Sequence, residues 1–229
     1  MRELDVMALA LGGHEPQWRT CGCGREVMAV PCWDCLKAQR EDEERYERAR
    51  AANVPRGHEW AIGATDAELA TRVRLEPEQG LTVETARKLV LGARRALLVG
   101  GVGMGKTSLV VNCLGKRRSD AYFVRAESIA RERVTRPLGR GEGPMYEQAM
   151  RVPILVLDDI GSEGKLEQER EAVSNLIRDR FADDLVTWVT TGLSSVQLKA
   201  RYDEAVASRL MGRHGAVAVL FEGVTKGGK

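Results

Sequence analysis

No stretch of the 229 residues approaches the roughly 20 consecutive apolar positions that span a bilayer. The N-terminal MRELDVMALALGGHEPQW has acidic residues around a short, weak apolar run, unlike a secretory leader. A cytoplasmic protein without membrane contact is expected. An excess of one charge is also lacking: 35 Lys and Arg against 33 Asp and Glu leave a formal +2. Global charge therefore argues for no nucleic-acid partner, and any such contact needs a local basic patch. Histidine is scarce, and His14, His58 and His214 are too scattered to be assigned chemistry. The cysteines are not spread as a disulfide framework would spread them, because four of the five fall between residues 21 and 35. With 43% hydrophobic and 30% charged residues, wholesale disorder is excluded and a sizeable core is available.

The clustered cysteines read C-x-C-x8-C-x2-C: Cys21, Cys23, Cys32 and Cys35. Two close pairs separated by a short loop match what tetrahedral Zn²⁺ needs from four thiolates, with Gly22 and Gly24 easing a tight turn. A four-thiolate site leaves no position open for water, so a structural rather than catalytic zinc is expected. Cys113 reads as a small core residue.

Before the cysteines, Leu4, Met7, Ala8 and Leu11 have a weak helical spacing that ends at Gly12-Gly13. After them, KAQREDEERYERARAA is dense in opposite charges at i, i+3 and i+4 with almost no apolar stripe. It reads as a solvated helix, either a connector or a partner-binding helix. Three segments are expected: a zinc-binding, partner-binding domain over 1–40, a charged helical connector over 41–80 and a nucleotide-binding domain over 81–229. In the last, TVETARKLVLGA, TSLVVNCLGKR, LEQEREAVSNLIRDRFA and SSVQLKARYDEAVASRLM read as helices. They alternate with strands at RALLVG, AYFVRA, ILVLDD, LVTWVTT and AVAVLFEG. Five strands alternating with helices predict an α/β fold with a parallel sheet covered on both faces.

Gly100, Gly101, Val102, Gly103, Met104, Gly105, Lys106 and Thr107, followed by Ser108, match GxxxxGK[ST] between a strand and a helix. Glycines let successive N–H groups face an anion, and the helix N-terminus adds positive potential there. ATP is the expected ligand. Lys106 is expected on the β and γ phosphates and the Thr107 hydroxyl on magnesium. ILVLDD ends in Asp158 and Asp159. A carboxylate at that strand end lies beside the phosphate loop, so Asp158 is expected to hold magnesium through water and Asp159 to orient and deprotonate the attacking water. The shorter aspartate, where glutamate is commoner, predicts slow turnover.

The order GGVGMGKT, ILVLDDIG, VTTGLS, RYDEAVASRL and a short terminal strand resembles the DnaC/IstB-type AAA+ ATPases, over about Leu81 to Gly223. The resemblance implies a P-loop AAA+ three-layer fold without a C-terminal lid, working as a homo-oligomer with intersubunit ATP sites. It also implies that Arg209, in Ser208-Arg209-Leu210, is offered to ATP on the neighbouring subunit, with Arg201 a second candidate. The alternative for Arg209 is a cation at a helix C-terminus. Where the family places Thr-Thr-Asn as a γ-phosphate sensor, this chain has Thr190, Thr191 and Gly192, so Thr191 is the expected substitute. Arg125, Arg131, Arg133, Arg136 and Arg140 lie where related proteins contact single-stranded DNA, with Tyr146 or Phe123 as stacking candidates. A solvated helix paired through Glu127 and Glu132 is the alternative. The resemblance implies a loader that places a replicative DNA helicase. Its rivals are a transposition helper, a nucleotide-switched adaptor with little hydrolysis, and a small-molecule kinase.

Overall fold

The computed structural model describes residues 19–27, 32–41, 52–116, 121–137, 141–211 and 215–223. The N-terminal helical pattern, the middle of the charged helix, Arg140, His14 and His214 lie outside them. The chain divides into two compact units, Met1–Tyr46 and Glu47–Lys229.

In the first unit, β1 (Arg19–Thr20) pairs antiparallel with β2 (Glu26–Val27), and residues 33–41 form α1. The turn between the strands closes through Cys21 N–H on Arg25 O (2.7 Å) and Gly24 N–H on Cys21 O (2.8 Å). Gly24 sits at φ +85, which glycine adopts without a Cβ penalty.

The second unit is a three-layer α/β/α sandwich. After α2 (Asp66–Ala70) and α3 (Val83–Gly92) come β3 (Arg95–Val99), α4 (Lys106–Lys116), β4 (Ala121–Arg125), α5 (Ala126–Thr135) and α6 (Pro144–Arg151). Then follow β5 (Ile154–Ile160), α7 (Glu167–Ala182), β6 (Val186–Thr191), α8 (Ser195–Tyr202), α9 (Glu204–Leu210) and β7 (Val217–Leu220). The five strands are all parallel, in the order β4-β5-β6-β3-β7. Alternation along each strand feeds two cores. Ala96 and Leu98 of β3, with Ile154 and Val156 of β5, join α3 and α4 on one face. Leu97 and Val99, with Leu155 and Leu157, join α5, α7, α8 and α9 on the other. Each fully buried Val or Leu contributes roughly 1.5–3 kcal/mol.

Residues 52–80 do more than connect. Ala61, Ile62, Ala64, Leu69 and Val73 are buried in the first core. The 3-10 turn Glu59–Ile62 lies flat on α4, where Asn112 Nδ2 donates to Ala61 O (2.7 Å) and Ala64 O (2.9 Å). Helix α2 starts at a Thr65–Glu68 capping box. From residue 52 on, the segment expected as a connector supplies part of this unit's core. Likewise, SSVQLKARYDEAVASRLM folds as two helices. Asp203, at φ +93, breaks the run and caps α9 by accepting from Val206 N–H (2.8 Å).

Candidate nucleotide and zinc sites

β6 lies between β3 and β5, so the C-terminal ends of these three strands place the glycine loop, Thr190 and the acidic pair side by side. Crevices at such strand ends are where open α/β sheets bind ligands. Gly103 (φ +80) and Gly105 (φ +88) give the loop its left-handed steps. A Cβ on Gly105 would meet Arg72 O at 2.7 Å, because residues 71–74 cross directly over the loop. Lys106 is buried, and its ammonium donates to Gly100 O and Gly101 O, both at 2.7 Å. Burial lowers its pKa, while the charges of Asp159 and Asp158 act in the other direction. Val102 is exposed, Met104 packs on the core, and Ser108 is buried in the first turn of α4.

Register slips between Leu157 and Ile160 where β5 meets β6, and the acidic pair sits at that slip. Asp158 is 6% exposed; its Oδ1 accepts from Thr107 Oγ1 (3.0 Å) and Thr190 Oγ1 (2.7 Å). Burial raises its pKa, opposed by those two hydroxyls. Asp159 is exposed at φ +57, a left-handed conformation costing about 1 kcal/mol off glycine, and its N–H donates to Thr190 Oγ1 (2.8 Å). One carboxylate is thus held inside and the other presented to solvent. Hard oxygen donors from Thr107 and Asp158, already within hydrogen-bond reach, suit magnesium, which keeps several waters and takes few protein ligands.

Thr190 rather than Thr191 bonds to the acidic pair, to the Asp158 carboxylate and the Asp159 N–H. The Thr191 hydroxyl is fully buried, donating to Ile160 O (2.8 Å) and accepting from Leu193 N–H (3.0 Å). A Cβ on Gly192 would meet only Gly100 O, at 3.8 Å, an ordinary van der Waals contact. Gly192→Asn is therefore expected to fold like the wild type and to raise ATP turnover about tenfold, the value of one further hydrogen bond made in the transition state. Unchanged steady-state turnover would count against a sensor position at residue 192.

Beside the loop, a cleft of about 640 Å³ is lined by His58, Thr71, Arg72, Arg74 and residues 103–108. The Arg72 guanidinium lies over the Trp60 ring at 4.3 Å. None of these flanking residues carries a motif in the sequence. A larger apolar groove of about 790 Å³ lies by Ala93–Arg95, at the opposite end of β3.

Arg209 is half-buried on α9 and donates to Ala205 O (3.0 Å) of its own helix; among the described residues it bonds to no part of the phosphate loop. Arg201 is bound internally, donating to Glu163 Oε1 (2.9 Å) and to the carbonyls of Glu163 and Gly164. Arg131 pairs with Glu127, Arg133 with Glu142 (3.2 Å), and Arg136 donates to Gly141 O (3.0 Å). Arg125 ends β4, opposite Asp158 in the register. Phe123 is a core residue at 2% exposure and cannot stack on a base, and the Tyr146 hydroxyl donates to Asp179 (3.4 Å).

In the first unit, the four Sγ atoms of Cys21, Cys23, Cys32 and Cys35 lie within 4.8 Å of one another. Cys21 and Cys35 are 3.5 Å apart and Cys23 and Cys32 3.7 Å. Four thiolates around zinc at about 2.3 Å have edges near 3.8 Å, so the cluster fits a tetrahedral ion. The Cys23 backbone, and then the Cys32 N–H that donates to Cys21 Sγ at 3.4 Å, pull the Cys21 thiol down to about 6. Such donors stabilise bound thiolates.

No family model matches the chain, and no curated protein matches it by sequence. Among solved structures, it is similar to the crystal structure of the DnaC helicase loader, at 25% identity and a TM-score of 0.55, over 67% of this chain and 95% of that one. It is also similar in fold to DnaI, at 19% identity and a TM-score of 0.56, over 70% of this chain and 92% of that one. With the P-loop after β3, an acidic pair ending β5, Thr190 between them and this sheet order, the second unit has the P-loop α/β fold seen in the DnaC helicase loader and DnaI structures, which supports the resemblance to DnaC/IstB-type AAA+ ATPases.

Proposed function

We propose that this protein is an ATP-dependent loader of a replicative DNA helicase, acting in the cytoplasm as an oligomer whose ATP sites are completed by a neighbouring subunit. The observation that carries the reading is the half-built site. Lys106, Thr107, Asp158, Asp159 and Thr190 converge, but among the described residues no arginine is hydrogen-bonded to their side chains, and Arg125, the one whose charge is felt at Asp158, lies at the end of β4 away from the phosphate loop. Arg209 is the one expected from the next subunit, and the likeness to the DnaC helicase loader across 95% of that chain supports the biological role.

Phosphates entering the loop would replace Gly100 O and Gly101 O as partners of the Lys106 ammonium and meet the N-terminal amides of α4. Magnesium, when bound, would neutralise charge on the β and γ phosphates, with Thr107 holding it directly and Asp158 through water. Asp159 orients a water on its exposed side. The water oxygen bonds to the γ phosphorus, the bond from that phosphorus to the β–γ bridging oxygen breaks, and the water's proton passes to the carboxylate. Arg209 of the neighbour stabilises the charge on the transferring group. Thr190 fixes both aspartates at once, since its hydroxyl donates to one side chain and accepts from the other's main chain. Turnover is slow because the aspartate base has a short reach.

The four-cysteine unit holds zinc as a structural centre and grips the helicase. Zinc there is also folding free energy, on the order of 10 kcal/mol in small modules. Chelation is expected to abolish amide-exchange protection in residues 19–27 and 32–41 and leave the melting of the Glu47–Lys229 unit unchanged. Less than about half an equivalent of zinc on freshly purified protein would contradict the site. Single-stranded DNA contact is assigned to the segment from Arg125 to Arg140, where salt bridges at Arg131 and Arg133 make the field weaker than five arginines imply.

The test is to combine the chain with the purified replicative helicase of its host and forked DNA. ATP-dependent retention of the helicase and its appearance on single-stranded DNA are expected. Retention of a transposase, with none of the helicase, would replace the loader by a transposition helper.

A further inference from the structure

Glu163 follows the acidic pair and is almost fully buried, with three side-chain bonds. Its Oε2 accepts from Gly161 N–H (2.8 Å), while its Oε1 accepts from Arg201 Nε (2.9 Å) and from the Tyr202 hydroxyl. Arg201 adds bonds to the carbonyls of Glu163 (2.6 Å) and Gly164 (3.0 Å). On one side these bonds reach the hydrolytic centre. Ser162 N–H (3.2 Å) and Oγ (2.6 Å) both donate to Asp159 O, and the Asp159 N–H is held by Thr190. The Leu193 side chain packs over Gly161, where a Cβ would meet Leu193 Cδ1 at 2.5 Å, so the loop also touches the segment that leads into α8. On the other side, Arg201 and Tyr202 are the last two residues of α8. Asp203 at φ +93 comes next, and α9 with Arg209 begins immediately after.

We propose that Glu163 is a positioning residue that ties the loop carrying Asp159 to the helix carrying Arg209, so that the nucleotide state of one site is passed to the arginine offered to the next. This rests on the proposed intersubunit role of Arg209. The link is short and stiff: a buried carboxylate with a guanidinium and a phenol on one oxygen has few alternative arrangements, because any displacement strands a charge away from water. A nucleotide-driven shift at Asp159 therefore moves the start of α9 instead of being absorbed in the loop. A network of this kind, with groups bound at both ends, is a physical route for coupling.

Hydrogen exchange on the full-length protein tests it without requiring hydrolysis, using a non-hydrolysable ATP analogue with magnesium. In the wild type, the analogue is expected to protect residues 100–107, 159–164 and 204–210 together. In Glu163→Gln, affinity for the analogue should stay within about threefold and protection at 100–107 should persist. More than half of the protection at 204–210 should be lost. A merely structural role would raise exchange equally with and without nucleotide, which would overturn the proposal. So would full retention of protection at 204–210 in the variant. Should Glu163→Gln fail to fold, Tyr202→Phe removes one bond from the same oxygen and must show the same selective loss. If the wild type gains no protection even at 100–107, the ATP-site reading itself falls, and the coupling with it.

Discussion

Arg209→Ala is expected to lower ATP turnover by on the order of a thousandfold and to leave the nucleotide affinity of dilute protein unchanged. The two effects separate because the guanidinium bonds within its own helix, to Ala205 O, and touches no phosphate-binding residue of its own subunit among the described residues. In the proposed assembly it acts where a neighbour brings a phosphoryl group to it, and arginines acting in this way contribute about 10³-fold or more to turnover. Steady-state hydrolysis and equilibrium nucleotide titration check the two halves. Lysine is a poor replacement, since an ammonium offers no planar fork to the equatorial oxygens. Turnover within a few-fold of wild type would return Arg209 to the role of a helix-terminal cation.

Arg180→Leu is expected to cost the second unit about 3–5 kcal/mol. Arg180 is fully buried on α7, and its guanidinium faces carbonyls instead of a carboxylate. It donates to Ala149 O (2.5 Å), Val152 O (3.0 Å), Val186 O (2.7 Å) and Thr187 Oγ1 (2.9 Å). Burial lowers it to about 10, which still leaves it charged at neutral pH. Ala149 and Val152 end α6, so this cation satisfies the terminal carbonyls of one helix and ties them to the start of β6. Replacing a buried ion pair by apolar residues can be neutral because both charges leave. Here the acceptors are backbone and stay behind, each unsatisfied at roughly 1–3 kcal/mol. Urea denaturation followed by far-UV circular dichroism checks the loss, and a change below about 1 kcal/mol would show that water reaches those carbonyls.

Sequence reading succeeded where chemistry or geometry fixes spacing. Gly100 to Thr107 could be read because a loop wrapped round phosphates needs glycine at set steps, and Gly103 and Gly105 do occupy left-handed φ. β5 could be read because a strand buried on both faces shows as an unbroken apolar run. The cysteine spacing likewise anticipated the sulfur cluster. Other features left no periodic signal. The 3-10 turn Glu59–Ile62 and five-residue α2 are too short for an apolar stripe, so their burial against α4 was hidden in a stretch that reads as polar linker. Asp203 adopts a positive φ with no glycine to announce it, so α8 and α9 looked like one helix. Arg180, in the last turn of α7, carries no local signal of its burial, and Glu163 meets Arg201 across 38 positions that nothing local connects. Thr191, and not Thr190, reads from the sequence as the substitute sensor. The register slip in β5 decides between them, because it brings the acidic pair to the Thr190 hydroxyl.

The most direct measurement of the shared site mixes two variants that are each expected to be inactive. Asp159→Asn keeps its Arg209 but lacks the water-orienting carboxylate, and Arg209→Ala has the reverse defect. If each site draws Asp159 from one subunit and Arg209 from the next, co-assembly restores intact sites. Magnesium-dependent ATP hydrolysis should then rise well above the sum of the two variants, toward about a quarter of the wild-type rate at equal mixing. Activity equal to that sum, under conditions where wild type assembles and hydrolyses ATP, would contradict a site built between subunits.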